Sequence, residues 1–277
     1  MYLSYWGLSA SPFRVTLDPK FFHQGLTQDE ALARLHFLVD EHRSVGLLLG
    51  ESGSGKSTIL ESFARQLPKH GVQLVYTSLA GLDLHDFLWS AGGQLGVETL
   101  PTADRFSLTR ALTDHIVANR YQQLATVLLL DDVDQADLEV LGEIARLAQI
   151  NVDRDARITV VLSGQPGRVV HAGPRLLDLV ELRIDLDGWE ADETAAFVKQ
   201  ALSAAGRSTP IFSEAALSRL HDKTGGVPRR VKQLADLALL AGAGQNLAQI
   251  EPELIDAVVD ELGFHPMVAG RTASVYA

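Results

Sequence analysis

Residues 50–58 are the feature that most restricts what this chain can fold into. They read GESGSGKST and match G-x-x-x-x-G-K-[ST], the motif of a phosphate-binding loop. The preceding residues 45–49 predict a short buried strand, and residues 59–67 have the spacing of an amphipathic helix. Because both flanking elements are in place, the pattern favours a phosphate-binding loop over an ordinary Gly/Ser-rich turn.

The residue types in this loop suit a triphosphate. Gly50, Gly53 and Gly55 allow the backbone to curl so that its amides point inward, and the following helix adds the positive end of its dipole. Lys56 would reach the β- and γ-phosphates, and the Ser57 hydroxyl would ligate Mg²⁺. We therefore predict a nucleotide site formed by nine consecutive residues, namely Gly50, Glu51, Ser52, Gly53, Ser54, Gly55, Lys56, Ser57 and Thr58.

A second strand end carries two acids. The apolar run at 126–130 is followed directly by Asp131 and Asp132. Hydrolysis of a triphosphate needs a carboxylate near the Mg²⁺ and a base that orients water. We assign the metal role to Asp131 and the base to Asp132, against the alternative of a capped strand end with solvated acids. Asp134 and Asp137 are predicted to be a solvated helix start.

Three more residues are candidates for contacts to the nucleotide. Ser163 and Gln165 follow an apolar strand, where a polar group could touch the γ-phosphate; the alternative is a polar turn before a proline. Arg229 follows a Gly-Gly-Val-Pro turn at a predicted helix start, where it could reach phosphates from a second domain. The alternatives for Arg229 are a basic surface turn or, with Arg230 and Lys232, a small nucleic-acid patch.

Apolar runs that alternate with helical patterns predict an α/β fold with a parallel five-stranded sheet covered on both faces. The predicted strands are 45–49, 72–77, 126–130, 158–162 and 180–186. From about residue 189 only helices are predicted, at about 191–205, 213–222, 228–241 and 252–262. We predict four segments: an N-terminal arm packing on the core (1–25), the core (26–188), a small all-α lid (189–265) and a flexible tail (266–277).

The arm is rich in aromatic residues and prolines, including Trp6, Phe13, Phe21 and Phe22. It could be an irregular segment packed on the domain, or it could help to enclose the nucleotide base, since aromatic side chains form a flat, dry slot. The sequence alone leaves both interpretations open.

Composition narrows the possible functions. The 277 residues contain no cysteine, which excludes disulfides, thiol catalysis and cysteine-ligated zinc. No apolar run approaches the length needed to span a membrane, and the N-terminus lacks the features of a signal peptide, so we expect a cytoplasmic protein without direct membrane insertion. The net charge of −11 disfavours nucleic acid as a partner, although a local basic patch would be compatible with it.

The order of these motifs resembles AAA+ ATPases. More narrowly, Tyr5-Trp6-Gly7-Leu8, Pro12-Phe13, Ala31-Leu32-Ala33-Arg34-Leu35 and Gly164-Gln165-Pro166 resemble the general secretion pathway protein A (ExeA-like) family. The resemblance covers about residues 2–262. It implies a P-loop AAA+ core with a helical lid, ATP and Mg²⁺ at their junction, and self-association into rings or filaments. It also implies that Asp131 is the Walker B aspartate, Ser163 or Gln165 sensor 1, and Arg229 sensor 2.

The chain departs from that family at several points. Asp132 stands where the family has Glu, which predicts slow hydrolysis because a shorter side chain holds the base farther from water. An arginine before the fifth strand is missing, which leaves Arg175 and Arg183 as substitutes for an arginine finger. The chain also stops before the membrane helix and the peptidoglycan-binding domain of secretion members, so envelope anchoring is not expected.

These observations lead to three functional hypotheses. The first is an ATPase that couples nucleotide state to assembly of a secretion or cell-envelope machine through an unidentified partner protein. The second is an ATP-gated scaffold with negligible hydrolysis. The third is a DNA-transposition helper ATPase, which the acidic net charge disfavours.

Overall fold

The computed structural model describes residues 2–13, 25–98, 102–152 and 157–262, and the chain divides into two units. The α/β unit comprises Leu26–Leu186. The helical unit comprises Met1–Gly25 together with Asp187–Ala277. The structure thus places the division after Leu186, where the sequence analysis predicted it after residue 188. The predicted tail, 266–277, lies outside the described residues.

The α/β unit is built on a parallel sheet, in agreement with the predicted fold class. Its five strands lie in the order β2-β3-β4-β1-β5, and every neighbouring pair is parallel. The strands are β1 (Val45–Gly50), β2 (Val72–Ser78), β3 (Ala125–Asp131), β4 (Ile158–Gly164) and β5 (Leu182–Leu186). Because β4 lies between β1 and β3, the ends of these three strands meet at one edge of the sheet.

Both faces of the sheet are buried, which explains why the strands read as continuous apolar runs. Successive side chains of a strand point to opposite faces. Accordingly, Leu128 and Leu130 join one apolar cluster and Val127 and Leu129 join another. Burying each of these side chains fully stabilises the fold by roughly 1.5–3 kcal/mol.

Helices cover the two faces. One face carries α2 (Leu26–Asp40) and α3 (Lys56–Gln66), which contribute Leu35 and Phe63 to its cluster. The helices of the other face are α4 (Leu84–Gln94), α5 (Arg105–Asn119), α6 (Leu138–Ala148) and the short α7 (Pro174–Leu177). The result is the three-layer architecture expected from alternating strands and helices.

The helical unit has its own apolar core. Its helices are α1 (Tyr2–Trp6), α8 (Ala191–Ala204), α9 (Glu214–Thr224), α10 (Pro228–Gly244) and α11 (Pro252–Leu262). The core includes Phe197, Leu220, Leu234 and Ile255 from these helices. This is the all-α arrangement predicted for the part of the chain after the sheet.

The first part of the arm belongs to the helical unit, which corrects the prediction that the arm packs on the core. Trp6 is buried in the helical cluster, and its Nε1 donates a hydrogen bond of 2.8 Å to the carbonyl oxygen of Leu239. Phe13 packs against Phe197 with ring centroids 6.1 Å apart. An indole needs both apolar contact and an acceptor, and α10 supplies both. Phe21 and Phe22 lie outside the described residues, so a role near the nucleotide base remains a prediction for them.

Within the described ranges, no helix combines the length and the apolar character that a bilayer-spanning segment requires.

Candidate nucleotide site

The phosphate-binding loop joins β1 to α3 and depends on glycine. Gly53 and Gly55 have φ angles of 89° and 104°, a region that other residues rarely adopt. Gly50 is favoured for a different reason, since a Cβ at this position would lie 2.3 Å from Oγ of Ser54 and 3.0 Å from the backbone carbonyl oxygen of Leu186. The curled loop predicted from the motif is therefore the loop that the chain forms.

Lys56 is the first residue of α3, and its side chain folds back into the loop. Its Nζ donates hydrogen bonds to the carbonyl oxygens of Gly50 at 2.8 Å and Glu51 at 3.2 Å. Burial lowers the pKa of Lys56, while the negative charges of Asp131, Asp134, Asp132 and Glu51 act in the opposite direction. To bind a phosphate, the ammonium group of Lys56 would have to turn toward it. The single bonds of the lysine side chain allow this rotation.

Two hydroxyl groups of the loop differ in their environment. Oγ of Ser54 is buried and has no hydrogen-bond partner among the described residues. Ser57, in the first turn of α3, is exposed. The hydroxyl of Tyr76 donates to the Ser57 carbonyl oxygen at 3.2 Å and so links β2 to the start of this helix. An unpartnered buried hydroxyl is costly, which favours a ligand that supplies an acceptor or donor here.

Asp131 ends β3 and is buried beside the end of β4. Ser163, which is fully buried, donates its hydroxyl to Oδ1 of Asp131, and the backbone N–H of Asp132 donates to the same oxygen at 2.9 Å. The structure therefore brings together Asp131 and Ser163, two residues predicted separately. Both hydrogen bonds from these described residues go to Oδ1 of Asp131. The other carboxylate oxygen, Oδ2, is left for a metal ion or water.

Asp132 adopts the left-handed backbone conformation, with φ 56° and ψ 40°. Its Oδ2 accepts a hydrogen bond of 2.8 Å from the Ser78 hydroxyl, and its Oδ1 accepts one of 3.3 Å from Nε2 of Gln135. Aspartate is one of the few residues other than glycine that adopts this conformation readily. The local backbone thus gives a physical reason for Asp in place of Glu at this position.

Asp134 is a site residue that the sequence analysis missed, because it predicted a solvated helix start. Its Oδ1 accepts a hydrogen bond of 3.2 Å from the backbone N–H of Gln165, and its Oδ2 is buried without a partner in the described part of the chain. Gly164 permits this approach, since a Cβ there would lie 2.9 Å from Oδ1 of Asp134. Asp137, by contrast, is exposed as predicted.

Gln165 enters this network through its backbone. Its N–H binds Asp134, and its carbonyl oxygen accepts the N–H groups of Arg168 and Val169 at 3.0 and 2.9 Å. A side-chain role for Gln165 at the γ-phosphate stays a prediction.

Tyr76 is a second residue that the sequence did not single out, because a tyrosine in a strand fits ordinary packing. Burial, followed by the charges of Asp131, Glu61 and Asp132, raises the pKa of Tyr76 to about 12. The phenol is therefore a proton donor throughout the neutral range. It holds the first turn of α3 without adding negative charge to an already acidic site.

Comparisons with known proteins agree with this geometry. Residues 39–170 match the family model described as an AAA domain. The chain is 30% identical over 245 residues to general secretion pathway protein A of Aeromonas hydrophila, an alignment that covers 87% of this chain and 45% of that relative. Residues 39–170 of this chain therefore form an AAA domain. The resemblance to general secretion pathway protein A is confirmed, and this AAA+ chain spans about half the length of that relative.

Solved structures show the same fold. Cdc6p of Pyrobaculum aerophilum has a TM-score of 0.69 and 19% identity, covering 91% of this AAA+ chain and 70% of Cdc6p. ORC2 of Aeropyrum pernix, in ADPNP–ADP complexes, has a TM-score of 0.65 and 18% identity over 91% and 72% of the two chains. The RuvB Holliday junction branch migration motor of Thermotoga maritima has a TM-score of 0.54 and 16% identity, over 89% and 73%. At these identities the likeness concerns the fold alone.

Arg229 belongs to the helical unit of this AAA+ protein. It is the second residue of α10 and is exposed. The turn before it is fixed by Gly226, whose carbonyl oxygen accepts the N–H of Trp189 at 2.9 Å and whose φ is 67°. The position at a helix start agrees with the sequence analysis, while contact of Arg229 with a nucleotide stays a prediction.

The two candidate arginine fingers differ in what they contact. Arg183, in β5, forms a bidentate interaction with Asp185, with distances from 2.8 to 3.0 Å. Hydrogen bonding to this carboxylate raises the pKa of Arg183. Arg175 lies in α7 and is exposed. Because Arg183 would have to give up Asp185 first, Arg175 is the better placed of the two to bind a partner's phosphate.

The donor set of the loop fits Mg²⁺ bound together with a nucleotide. Within the described ranges, no group of three or more His, Asp or Glu side chains is arranged to hold a metal ion. Mg²⁺ is usually held by one or two carboxylates together with substrate phosphates and water, and does not need such a cage. Ser57 and Asp131, the residues predicted to hold it, supply the hard oxygen ligands that this ion prefers.

Proposed function

We propose that this AAA+ protein binds ATP with Mg²⁺ at residues 50–58 and hydrolyses it to ADP and phosphate. The observation that carries the proposal is the meeting of three strand ends. The loop after β1 holds Lys56, β3 ends in Asp131, and β4 supplies Ser163, which hydrogen-bonds Asp131. A cation, a metal-binding carboxylate and a polar strand end in one place are the parts that phosphoryl transfer needs.

The roles follow from the chemistry of each group. The backbone amides of the loop and Lys56 would hold the phosphates, and Ser57 and Asp131 would hold Mg²⁺. When bound, Mg²⁺ neutralises charge that develops on the phosphate oxygens. Ser163 keeps Asp131 oriented, while Asp132 would accept the proton of the attacking water. Gln165 would contribute at the γ-phosphate, and Arg229 would couple hydrolysis to movement of the helical unit.

Asp132 determines how fast hydrolysis proceeds in this proposal. Its carboxylate is already bound by Ser78 and Gln135, so its direction is restricted. A base that is misplaced by about 1 Å can lower the rate by about 100-fold. This favours slow turnover, and it motivates a second candidate function, an ATP-gated scaffold that binds nucleotide with negligible hydrolysis.

Self-association into a ring or filament is part of the proposal. An exposed Arg175 could then serve the nucleotide of a neighbouring copy. The relationship to general secretion pathway protein A suggests that a cytoplasmic assembly of this chain acts on a secretion or cell-envelope machine through a partner protein.

A DNA-linked role, that of a DNA-transposition helper ATPase, is the third candidate. Against it, the net charge is −11, and Lys232 of the basic turn is engaged. Its ammonium lies 5.6 Å from the centroid of the Phe197 ring, and burial lowers the pKa of Lys232. Two arginines, Arg229 and Arg230, are then left for phosphates, where tight DNA binding needs several such contacts.

Nucleotide affinity and steady-state turnover, measured on the same preparations, test the proposal. We expect wild type to bind Mg-ATP and to release phosphate at a rate that Lys56→Ala abolishes. Tight binding with phosphate release equal to that of Lys56→Ala would establish the scaffold and contradict the enzyme. Retention of duplex DNA that depends on ATP at physiological salt would support the third candidate.

A further inference from the structure

The helical unit contains a pocket that the nucleotide chemistry does not use. It has a volume of about 170 Å³ and lies between α8 and the segment that leads into α9. Its floor is apolar and includes Leu202, Ile211 and Phe212. Its rim carries Arg207, together with the hydroxyl groups of Ser208 and Thr209.

The volume of this pocket limits what can occupy it. A cavity of about 150 Å³ holds a molecule the size of benzene. Pockets for cofactors and drug-sized ligands are larger, at about 300–1,000 Å³. The pocket in the helical unit therefore has room for one apolar side chain, which is the size of an anchor residue in a protein–protein contact.

Arg207 places a charged group at the rim of this pocket. Its Nε is buried and has no acceptor among the described residues. Two other cations of the helical unit are paired: Lys199 lies 2.7 Å from Glu214, and Arg219 lies 2.9 Å from Asp256. A buried donor without an acceptor is costly. Arg207 also forms no ion pair with the described residues, so its guanidinium can bind a carboxylate brought to the rim of the pocket.

The arm is bonded to the backbone just before Arg207. The backbone N–H and the hydroxyl of Ser9 both donate to the carbonyl oxygen of Ala205 at 2.9 Å, two residues before Arg207. Gly7 lies so close that a Cβ on it would be 3.4 Å from Nη1 of Arg207. The arm therefore anchors the backbone that leads to Arg207 and lies beside its guanidinium.

We propose that this pocket docks a partner polypeptide through one apolar side chain with a carboxylate next to it. The apolar side chain fills the space above Leu202, Ile211 and Phe212, and the carboxylate accepts the hydrogen bond of Arg207. The proposal goes beyond ATP binding and hydrolysis and does not depend on them.

Titration of the full ¹⁵N-labelled chain with the capped tetrapeptide acetyl-Gly-Asp-Phe-Gly-amide tests this inference. We expect saturable chemical-shift changes at the amides of Ser208, Thr209 and Ile211. The peptides with Asn for Asp, or with Ala for Phe, should bind at least about 10-fold more weakly, since a hydrogen bond to a charged group is worth roughly a factor of ten or more. Equal affinity of the Asp and Asn peptides, or no changes at these amides with millimolar peptide, would overturn the proposal.

Two substitutions separate binding from folding. Arg207→Met should lose the preference for Asp over Asn while keeping, or raising, the thermal unfolding midpoint, because it removes an unpaired buried donor. Arg230→Met, which makes the same change outside the pocket, should leave the preference intact. If Arg207→Met lowers the midpoint and retains the preference, then Arg207 is a structural residue and the proposal is wrong.

Discussion

The hydroxyl of Ser163 donates a hydrogen bond to Oδ1 of Asp131, linking the ends of two neighbouring strands, β4 and β3. Both residues are buried, so water cannot replace the bond without a change in structure. The contact fixes the orientation of the carboxylate that we assign to the metal.

Ser163→Ala tests what this bond contributes. Loss of one donor to a buried carboxylate should reduce the free energy of unfolding by about 1–3 kcal/mol. Affinity for Mg-ATP should fall as well, because Asp131 would no longer be held in one orientation. Urea denaturation and nucleotide titration measure the two effects. Ser62→Ala, on the surface of α3, is the matched control and should change neither; an unaltered affinity in Ser163→Ala would contradict the role given to Asp131.

Asp132 offers a test of the catalytic base. Asp132→Asn keeps a residue that tolerates the left-handed backbone at this position, so folding and nucleotide affinity should be preserved. Phosphate release should fall to the level of Lys56→Ala, because an amide cannot accept the proton of water. Residual turnover comparable to wild type would exclude Asp132 as the base.

Asp132→Glu asks whether the shorter side chain limits the rate. Glutamate in the left-handed conformation should cost about 1–2 kcal/mol of stability. A gain in turnover despite that cost would show that the Asp slows hydrolysis, whereas a loss would show that the local backbone is already adjusted to Asp. Steady-state phosphate release, compared at equal fractions of folded protein, distinguishes the two results.

Gly164→Ala tests the close approach between the turn after β3 and the end of β4. The added methyl group would lie 2.9 Å from both Oδ1 of Asp134 and Cγ1 of Val133, and overpacking of this kind costs about 1–3 kcal/mol. Gly167→Ala, where a Cβ meets nothing within 4 Å, should be within about 0.5 kcal/mol of wild type. In urea denaturation, the double variant Gly164→Ala/Asp134→Ala should lose less stability than the two single losses added together. Strict additivity would argue that Asp134 does not support this turn.

Tyr76 makes stability depend on pH in the alkaline range. Its pKa of about 12 in the folded protein lies above the ordinary value of 10, so the folded state keeps a proton that the unfolded state releases. The resulting stabilisation is present below pH 10 and is lost as the pH rises through about 12, and solvent screening of this half-buried phenol keeps it small. Urea denaturation from pH 9 to 11.5 should show a steeper decline for wild type than for Tyr76→Phe. Parallel curves would contradict the environment described for this phenol.

Alanine substitutions at Gly225 and Gly226 allow a matched comparison of stability in the turn before Arg229. Both have positive φ, so alanine at either position should cost about 1–2 kcal/mol. A Cβ at Gly226 would lie 2.0 Å from the carbonyl oxygen of Trp189, whereas one at Gly225 meets nothing within 4 Å. Gly226→Ala should therefore lose about 1–3 kcal/mol more. Denaturation followed by tryptophan fluorescence measures the difference, and equal losses would contradict the packing of this turn.

Much of the site could be predicted because its signals are local. Residues 50–58 specify a curled loop through glycines that must adopt positive φ, and the buried strands are visible as apolar runs because both faces of the sheet are covered. Asp131 and Ser163 were recognised because each ends such a run. These features depend on the chain within a few residues of each position.

Other features depend on which distant segments meet, and the sequence did not reveal them. The strand order places β4 between β1 and β3, so the Ser163 hydroxyl lies next to Asp131 and donates a hydrogen bond to it. The same order brings Asp134 to the backbone of Gln165, so an acid that reads as a solvated helix start is partly buried. The sequence of the arm predicts a segment that packs on the core, yet Nε1 of Trp6 donates its hydrogen bond to the carbonyl oxygen of Leu239 in α10.

The sequence by itself therefore determined the phosphate-binding loop and the buried strands, because glycine geometry and hydrophobic periodicity act over a few residues. The order of its motifs carried the resemblance to AAA+ ATPases. Only the tertiary structure decided how the acids of β3 are held, why Asp132 suits its backbone and where the arm packs. Those outcomes depend on contacts between residues far apart in the chain, where burial and hydrogen-bond partners, rather than local preference, set the lowest free energy.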